Sequence, residues 1–396
     1  MNSSAPAPSA TAPAERLKAD PRGPTEALVG VPAGPEAELV AARVLDEARR
    51  ALPGRAVNAV PLSRQPGGAP GSHLAADGAL PGLIQLARDA GASACAWLGG
   101  AGDPGAGDRL GLLLGPVLDQ GLDFLCASYR RAPFEGTLTT ALVYPLTRAL
   151  YGVRLRQPLG AELALSRRFA EHLAAADWAE DPFRAGADLW VVTRAVEGGF
   201  RLGQAFLGPY PPYLAEPDAP PSESLARVAG LLFRGMERTA ATWQRVRGSS
   251  PVPTFGESAP LAGTGHPPSP ARLVGAFELG CQDLAELWGA VLPPATLLSL
   301  RRAARQPGAS FRLHDGLWAR VVYDFALGHR QRVMDRGQLL RSLTPIYLGW
   351  LAGFMGESAG QGPDWVEARV EGLCLAFEAE KPYLISRWRW PDRFNP

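Results

Sequence analysis

Lysine is almost missing from this 396-residue chain: of its 40 basic residues, only Lys18 and Lys381 are lysines. Together with the high Ala, Gly and Pro content, that excess of arginine reads as codon bias and not as function. Neither sign of charge dominates. Forty Lys+Arg stand against 39 Asp+Glu, a net charge of +1, which argues against a polyphosphate backbone bound through bulk charge. Cysteine is scarce as well. Cys95, Cys126, Cys281 and Cys374 lie far apart without a C-x-x-C pair, so a disulfide framework or zinc site is not expected and a reducing compartment is the simpler reading. Apolar runs are all broken by Gly, Arg or Pro before the ~20 residues a membrane span needs. The first residues, MNSSAPAPSATAPAERLKADPRGP, lack the apolar stretch of a secretory signal. The expectation is a cytoplasmic protein with no membrane span and no nucleic-acid partner.

What is present is enough apolar sequence for a substantial core, at 46% hydrophobic and 20% charged residues. Residues 1–24 offer no periodic face and read as a disordered tail. From Ala27 the pattern alternates. Apolar strands are expected at Ala27–Val31, Ser93–Leu98 and Leu122–Ala127, with amphipathic helices at Glu36–Leu52, Leu80–Ala90 and Gly107–Gln120. Such alternation predicts a largely parallel sheet covered on both faces. Further on, Gly136–Tyr151, Arg167–Ala176, Asp188–Val196 and Ser222–Arg247 read as helices, with strands at Leu163–Leu165 and Phe200–Phe206. Residues 248–270 hold six prolines and four glycines and mark a linker or exposed irregular loop. Beyond it only helices are expected, near 271–291, 295–305, 313–329, 333–355 and 363–379. The division is therefore an α/β domain over 25–247, the Pro/Gly-rich linker, and a helical C-terminal domain over 271–396.

Groups that carry chemistry are few. His73, His172, His266, His314 and His329 are scattered and read as surface or helix-end residues. No G-x-S-x-G, H-E-x-x-H, P-loop or G-x-G-x-x-G is present. The glycine-rich turn Gly99–Gly105 follows a strand and either cradles a phosphate or is a plain flexible turn; it lacks the lysine and hydroxyl of a true phosphate loop. Arg154–Glu162 (RLRQPLGAE) is a turn that either points Gln157 and Glu162 into a polar pocket or leaves a solvated glutamate. Asp188 is either a first-turn carboxylate complementing the helix dipole or a group lining the sheet edge.

Four segments taken together resemble a known family. Glu135–Gly152 (EGTLTTALVYPLTRALYG), Arg156–Glu162 (RQPLGAE), Ala185–Thr193 (AGADLWVVT) and Arg201–Gly208 (RLGQAFLG) are similar to the acceptor half of bacterial glycosyltransferases with the GT-A fold. That family includes glucosyl-3-phosphoglycerate and mannosylglycerate synthases. The helical tail, with LLRSLTPIYLGWLAGF and FEAEKPYLISRW, resembles the C-terminal extension of its bacterial members, so the similarity spans roughly residues 25–390. The resemblance implies a GT-A (Rossmann-like) domain followed by an α-helical C-terminal region. It implies an acceptor site at Thr137, Thr139, Arg156, Gln157 and Gly160 for a small hydroxy-acid or sugar. Glu162 and Asp188 would stand near the transferred sugar as catalytic residues.

The donor half departs from that pattern. The family binds a nucleotide-sugar with Mg²⁺ or Mn²⁺, whose charge stabilises the leaving diphosphate. Here Gly99-Gly100-Ala101 stands where D-x-D should be, and the family's metal-binding histidine falls near Pro212. Ala33-Gly34-Pro35, Val60-Pro61-Leu62-Ser63 and Ala75-Ala76-Asp77 replace three further donor motifs. Asp103 and Asp108 are the nearby carboxylates able to substitute as metal ligands. Metal-free members neutralise the diphosphate with basic side chains, for which Arg64, Arg109, Arg130 and Arg131 are available, with Arg130 and Arg131 at a strand's end. The expectation is a glycosyltransferase-like protein with an eroded donor and metal site. The alternatives are a catalytically inactive pseudo-glycosyltransferase that assembles with a partner, or with itself, through the helical tail, and an acceptor-like small-molecule sensor.

Overall fold

The computed structural model of the chain describes residues 25–62, 79–99, 106–131, 134–160, 162–176, 187–210, 220–257 and 269–390. The 1–24 tail, Arg64, the Ala75–Asp77 segment, Gly100–Gly105 with Asp103, and Pro212 lie outside the described residues.

The first half alternates strand and helix. In chain order it contains β1 (Ala27–Pro32), α1 (Ala37–Ala51), β2 (Val57–Leu62), α2 (Ala79–Asp89), β3 (Ala94–Trp97), α3 (Ala106–Gln120) and β4 (Phe124–Arg130). A π-helical turn, Thr139–Val143, then leads into α4 (Tyr144–Tyr151), followed by β5 (Val153–Arg154), β6 (Leu163–Ser166), α5 (Arg167–Ala174), α6 (Ala187–Glu197) and β7 (Leu202–Pro209). Next come α7 (Pro221–Arg238) and the strands β8 (Ser250–Pro251) and β9 (Thr254–Phe255). The remainder is helical: α8 (Pro270–Asp283), α9 (Pro294–Ala303), α10 (Asp315–Gln331), α11 (Arg336–Ser342), α12 (Thr344–Ser358) and α13 (Pro363–Arg389).

Seven strands make one sheet in the order β2-β1-β3-β6-β4-β7-β9. Only β6 runs antiparallel to its neighbours, β3 and β4; the other pairs in that sheet are parallel. Alternate residues of the strands feed two separate cores. Leu28, Trp97, Phe124 and Leu165 face α2, α5 and α6 on one side. Val29, Ala96, Leu125 and Ala205 face α1 and α3 on the other. Burial on both faces is why the strands read as continuous apolar runs instead of alternating ones. The chain is thus α/β, with a mostly parallel, Rossmann-like sheet and a helical C-terminal region.

A third and larger core joins the two halves. It combines α4 and α7 with α8 to α13, centred on Trp288, Trp318, Tyr323, Trp350 and Phe377. Helix α12 is apolar nearly all round, and Ile346, Tyr347, Trp350, Leu351, Phe354 and Met355 are all buried. Polar ties hold the seam. Arg148 of α4 is fully buried and donates to Glu371 at 2.5 and 2.8 Å and to Glu378 at 2.8 Å, both on α13. The C-terminus of α4 is closed by Gly152 in the left-handed region and by the buried ammonium of Lys381, which donates to the carbonyls of Ala149 (2.6 Å) and Val246 (2.9 Å). Burial brings the Lys381 pKa down to about 8.

Several helices expected to be continuous are broken. The span 222–247 ends at Arg238, with Thr239 capping it before a single turn at Ala240–Trp243. The spans 271–291 and 333–355 break at Leu284 and Leu343. Within the Pro/Gly-rich stretch, β8 pairs with β5 and β9 adds to the sheet's edge beside β7. All four cysteines are free thiols. No described helix is long and apolar enough to cross a membrane.

Candidate functional site

In an open α/β sheet, ligands bind beyond the carboxyl ends of the parallel strands. At that edge β4 and β7 run side by side, and their register shifts between Ser128 and Arg130. Such an irregularity bends a strand and re-aims the side chains at its end. Here it precedes Arg130 and Arg131.

Arg131 lies over the Tyr210 ring, 4.0 Å from its centroid, and its Nε donates to Gln157 Oε1 at 3.2 Å. Burial pulls its pKa below the ordinary arginine value, although the surrounding Tyr210, Glu135 and Tyr129 counteract this. Guanidinium remains a cation at any working pH. Gly136, at φ +65°, leaves room for this side chain; a Cβ there would collide with the guanidinium. Gln157 in turn donates through Nε2 to the Tyr129 carbonyl at 2.5 Å, which ties the 154–162 turn to the end of β4. The neighbouring Arg156 has its backbone N–H held by Gln204 Oε1 at 2.9 Å. Its Nε and Nη2 donate to Glu367 of α13 at 3.2 and 3.1 Å.

These groups border a cavity of about 390 Å³. Arg130, Arg131, Thr139, Arg156 and Gln157 all line it, so five residues singled out from the sequence meet at one place. Arg130 Nε is buried there with no hydrogen-bond partner among the described residues. The opposite wall comes from the C-terminal region: Phe354 at the end of α12, and Asp364 and Glu367 in the first turns of α13. Glu135, Thr140, Gln204 and Phe206 are among the other polar and aromatic residues of the lining.

The other candidates sit elsewhere. Thr137 Oγ1 is 2.6 Å from Tyr347 OH and joins the π-helical turn to α12. Gly160 passes under β4, where a Cβ would stand 2.7 Å from the Ala127 carbonyl oxygen; its part is close backbone approach. Glu162 lies at the sheet's carboxyl edge but is fully buried, accepting from Tyr129 OH at 3.0 Å with Arg109 Nε at 3.6 Å, and it is not among the residues lining the cavity. Asp188 falls in the first turn of α6, and its side-chain surroundings lie outside what the structure describes. Asp108 is exposed in the first turn of α3. His329 is a helix-end residue as expected, but it is fully buried, with Nδ1 2.7 Å from Glu237 Oε1. A second cavity, of about 240 Å³, lies between α6 and α7 and involves none of the predicted site residues.

Sequence reasoning missed the C-terminal wall. Its signal is an acidic row on α13, Glu367, Glu371 and Glu378, set against the basic residues Arg148, Arg154 and Arg156. No spacing rule joins positions more than 200 residues apart. As for a metal, the described residues contain no group of three or more His, Cys, Asp or Glu side chains placed to hold one. The cavity sets three arginines beside three carboxylates, Glu135, Asp364 and Glu367, and those carboxylates do not converge into such a group for the Mg²⁺ or Mn²⁺ expected from the resemblance. A scan of protein-family models and a search of curated proteins each found no match to this chain.

Proposed function

We propose that this protein is glycosyltransferase-like, of the nucleotide-sugar-dependent GT-A type, and that the cavity between β4, β7 and α13 takes its acceptor, a small hydroxylated anion. The observation that carries the reading is the meeting of Arg130, Arg131 and Arg156 with Thr139, Thr140, Gln157 and Gln204 on one cavity. Guanidinium groups bind carboxylate or phosphate through paired, charge-assisted hydrogen bonds. Hydroxyl and amide groups beside them match the hydroxyls of a sugar acid, and Phe206 and Phe354 supply apolar walls for its carbon skeleton. The sheet order supports the architecture, because a single antiparallel strand between β3 and β4 leaves the carboxyl ends of β1, β3, β4 and β7 on one edge.

In this reading Arg131 and Arg156 orient the acceptor's anionic group. Gln157 is a positioning residue, holding Arg131 on one side and the Tyr129 carbonyl on the other. Transfer itself requires a donor, whose diphosphate would be met by basic side chains, as in metal-free members of the family that the chain resembles.

A second reading, a pseudo-glycosyltransferase that binds without transferring, is favoured by Glu162. A carboxylate that is fully buried and held by Tyr129 is poorly placed to meet a sugar. One experiment separates the two. Purified protein is incubated with D-glycerate and UDP-, GDP- or ADP-glucose, with and without Mn²⁺, and nucleoside diphosphate release is measured. Acceptor-dependent release that disappears in Arg131→Ala supports the enzyme. Glycerate binding without release under any of these conditions supports the pseudoenzyme, and absence of both overturns the proposal.

A further inference from the structure

Three ion-paired rungs join α13 to the segment running from α4 to the 154–162 turn. Arg148 holds Glu371 and Glu378, Arg154 Nη1 stands 4.0 Å from Glu371, and Arg156 holds Glu367. The rungs differ in solvent exposure. The Arg148 side chain is 0% exposed, whereas the Arg156–Glu367 pair is 24% and 63% exposed and opens onto the cavity. Breaking a buried pair costs several-fold more than breaking an exposed one. The rung at the cavity can therefore yield at little cost while the buried Arg148 keeps α13 clamped.

Its geometry also resembles a ligand's. Both carboxylate oxygens of Glu367 accept from Arg156, at 3.1 and 3.2 Å, in the paired arrangement that a carboxylic acid or phosphate adopts on guanidinium. Arg156 does not depend on this partner for its place. Its backbone is fixed by Gln204, and its guanidinium lies 5.2 Å from the Tyr144 ring centroid. We infer that Glu367 occupies the anion position on Arg156 in the ligand-free protein, and that an anionic ligand displaces it. Glu367 is then a specificity residue: it competes with anions for Arg156 and leaves neutral polyols unaffected. The inference rests on the reading of this cavity as an anion site.

The test is calorimetric titration of D-glycerate, inorganic phosphate and glycerol into the full chain and into Glu367→Gln and Asp364→Asn. The first variant frees Arg156. The second removes an equal charge from the same wall without touching the pair. Exchange predicts that glycerate and phosphate bind about two- to fivefold tighter to Glu367→Gln, the worth of an exposed ion pair. It predicts a smaller gain in Asp364→Asn and no change for glycerol. Equal gains in the two variants, or none, overturn the exchange while leaving the anion site standing. A gain that extends to glycerol overturns it also. No binding of glycerate or phosphate by any of the three proteins overturns the anion site itself.

Discussion

Replacing Arg148 by methionine tests how the sheet and the C-terminal helices are held together. The side chain is wholly buried between α4 and α13, and its guanidinium reaches Glu371, Glu378 and Ser249 Oγ. Methionine keeps most of the stem's packing and removes the charge. Removing one member of a buried pair costs about 3–5 kcal/mol, chiefly from the charge left behind. Here the orphaned carboxylates are not deep, since the Glu371 and Glu378 side chains retain 43% and 21% exposure and can recruit water. The lower end applies, about 3 kcal/mol, or roughly a hundredfold in the folding equilibrium. Urea unfolding of both proteins at pH 7 measures it. The effect also has a pH signature. Hydrogen bonding to Arg148 is the main cause holding the Glu371 pKa below its ordinary 4.5. A lowered carboxylate pKa contributes stability above the unfolded value and loses it as pH falls through the folded one, so the gap between the two proteins should narrow below about pH 4.5. A difference under 0.5 kcal/mol at pH 7, on the order of an exposed pair, would refute the clamp.

Three further outcomes are expected. Lys381 has a folded pKa of about 8 against an ordinary 10.5, so the unfolded chain binds more protons between those values and stability relative to Lys381→Met should rise from pH 8 to 10.5; a flat difference across that window contradicts the buried ammonium. Gly160→Ala forces a methyl group against the β4 backbone and should cost about 1–3 kcal/mol in thermal or urea unfolding, with glycerate binding weakened as the turn shifts. Gln157→Ala should weaken glycerate binding while Gln157→Glu restores part of it, because the carboxylate can still accept from Arg131; identical losses would show that Gln157 does not act through Arg131.

The strand–helix alternation up to β4 was legible, apart from β2, because those strands are short apolar runs and each helix carries one apolar face; β2 (VNAVPL) was missed because Asn58 and Pro61 interrupt its apolar run. The direction of β6 was not, since four residues, Leu163–Ser166, carry no mark of antiparallel pairing. β8 and β9 were hidden among prolines and glycines, residues that ordinarily exclude strands and are tolerated at an edge. The helix breaks at Thr239 and Leu284 have no Gly or Pro at the break to announce them, whereas the one at Leu343 is followed by Pro345 in the first turn of α12, whose missing N–H interrupts the helix. At the site, Arg130, Arg131, Arg156 and Gln157 were identifiable because a strand end and a turn place them locally. Thr137 was drawn away by Tyr347, and Glu367 and Asp364 reach the cavity from the far end of the chain, so neither contact has a local signal.

The central claim is that the arginine-lined cavity binds a small anion. Titration of D-glycerate into the full chain and into Arg131→Ala, with unfolding curves confirming that both are folded, tests it most directly. Losing a hydrogen bond to a charged ligand group costs about 1.5–3 kcal/mol, so the variant should bind at least tenfold more weakly. Equal affinity in the two folded proteins, or no binding by the wild-type chain, would contradict the account.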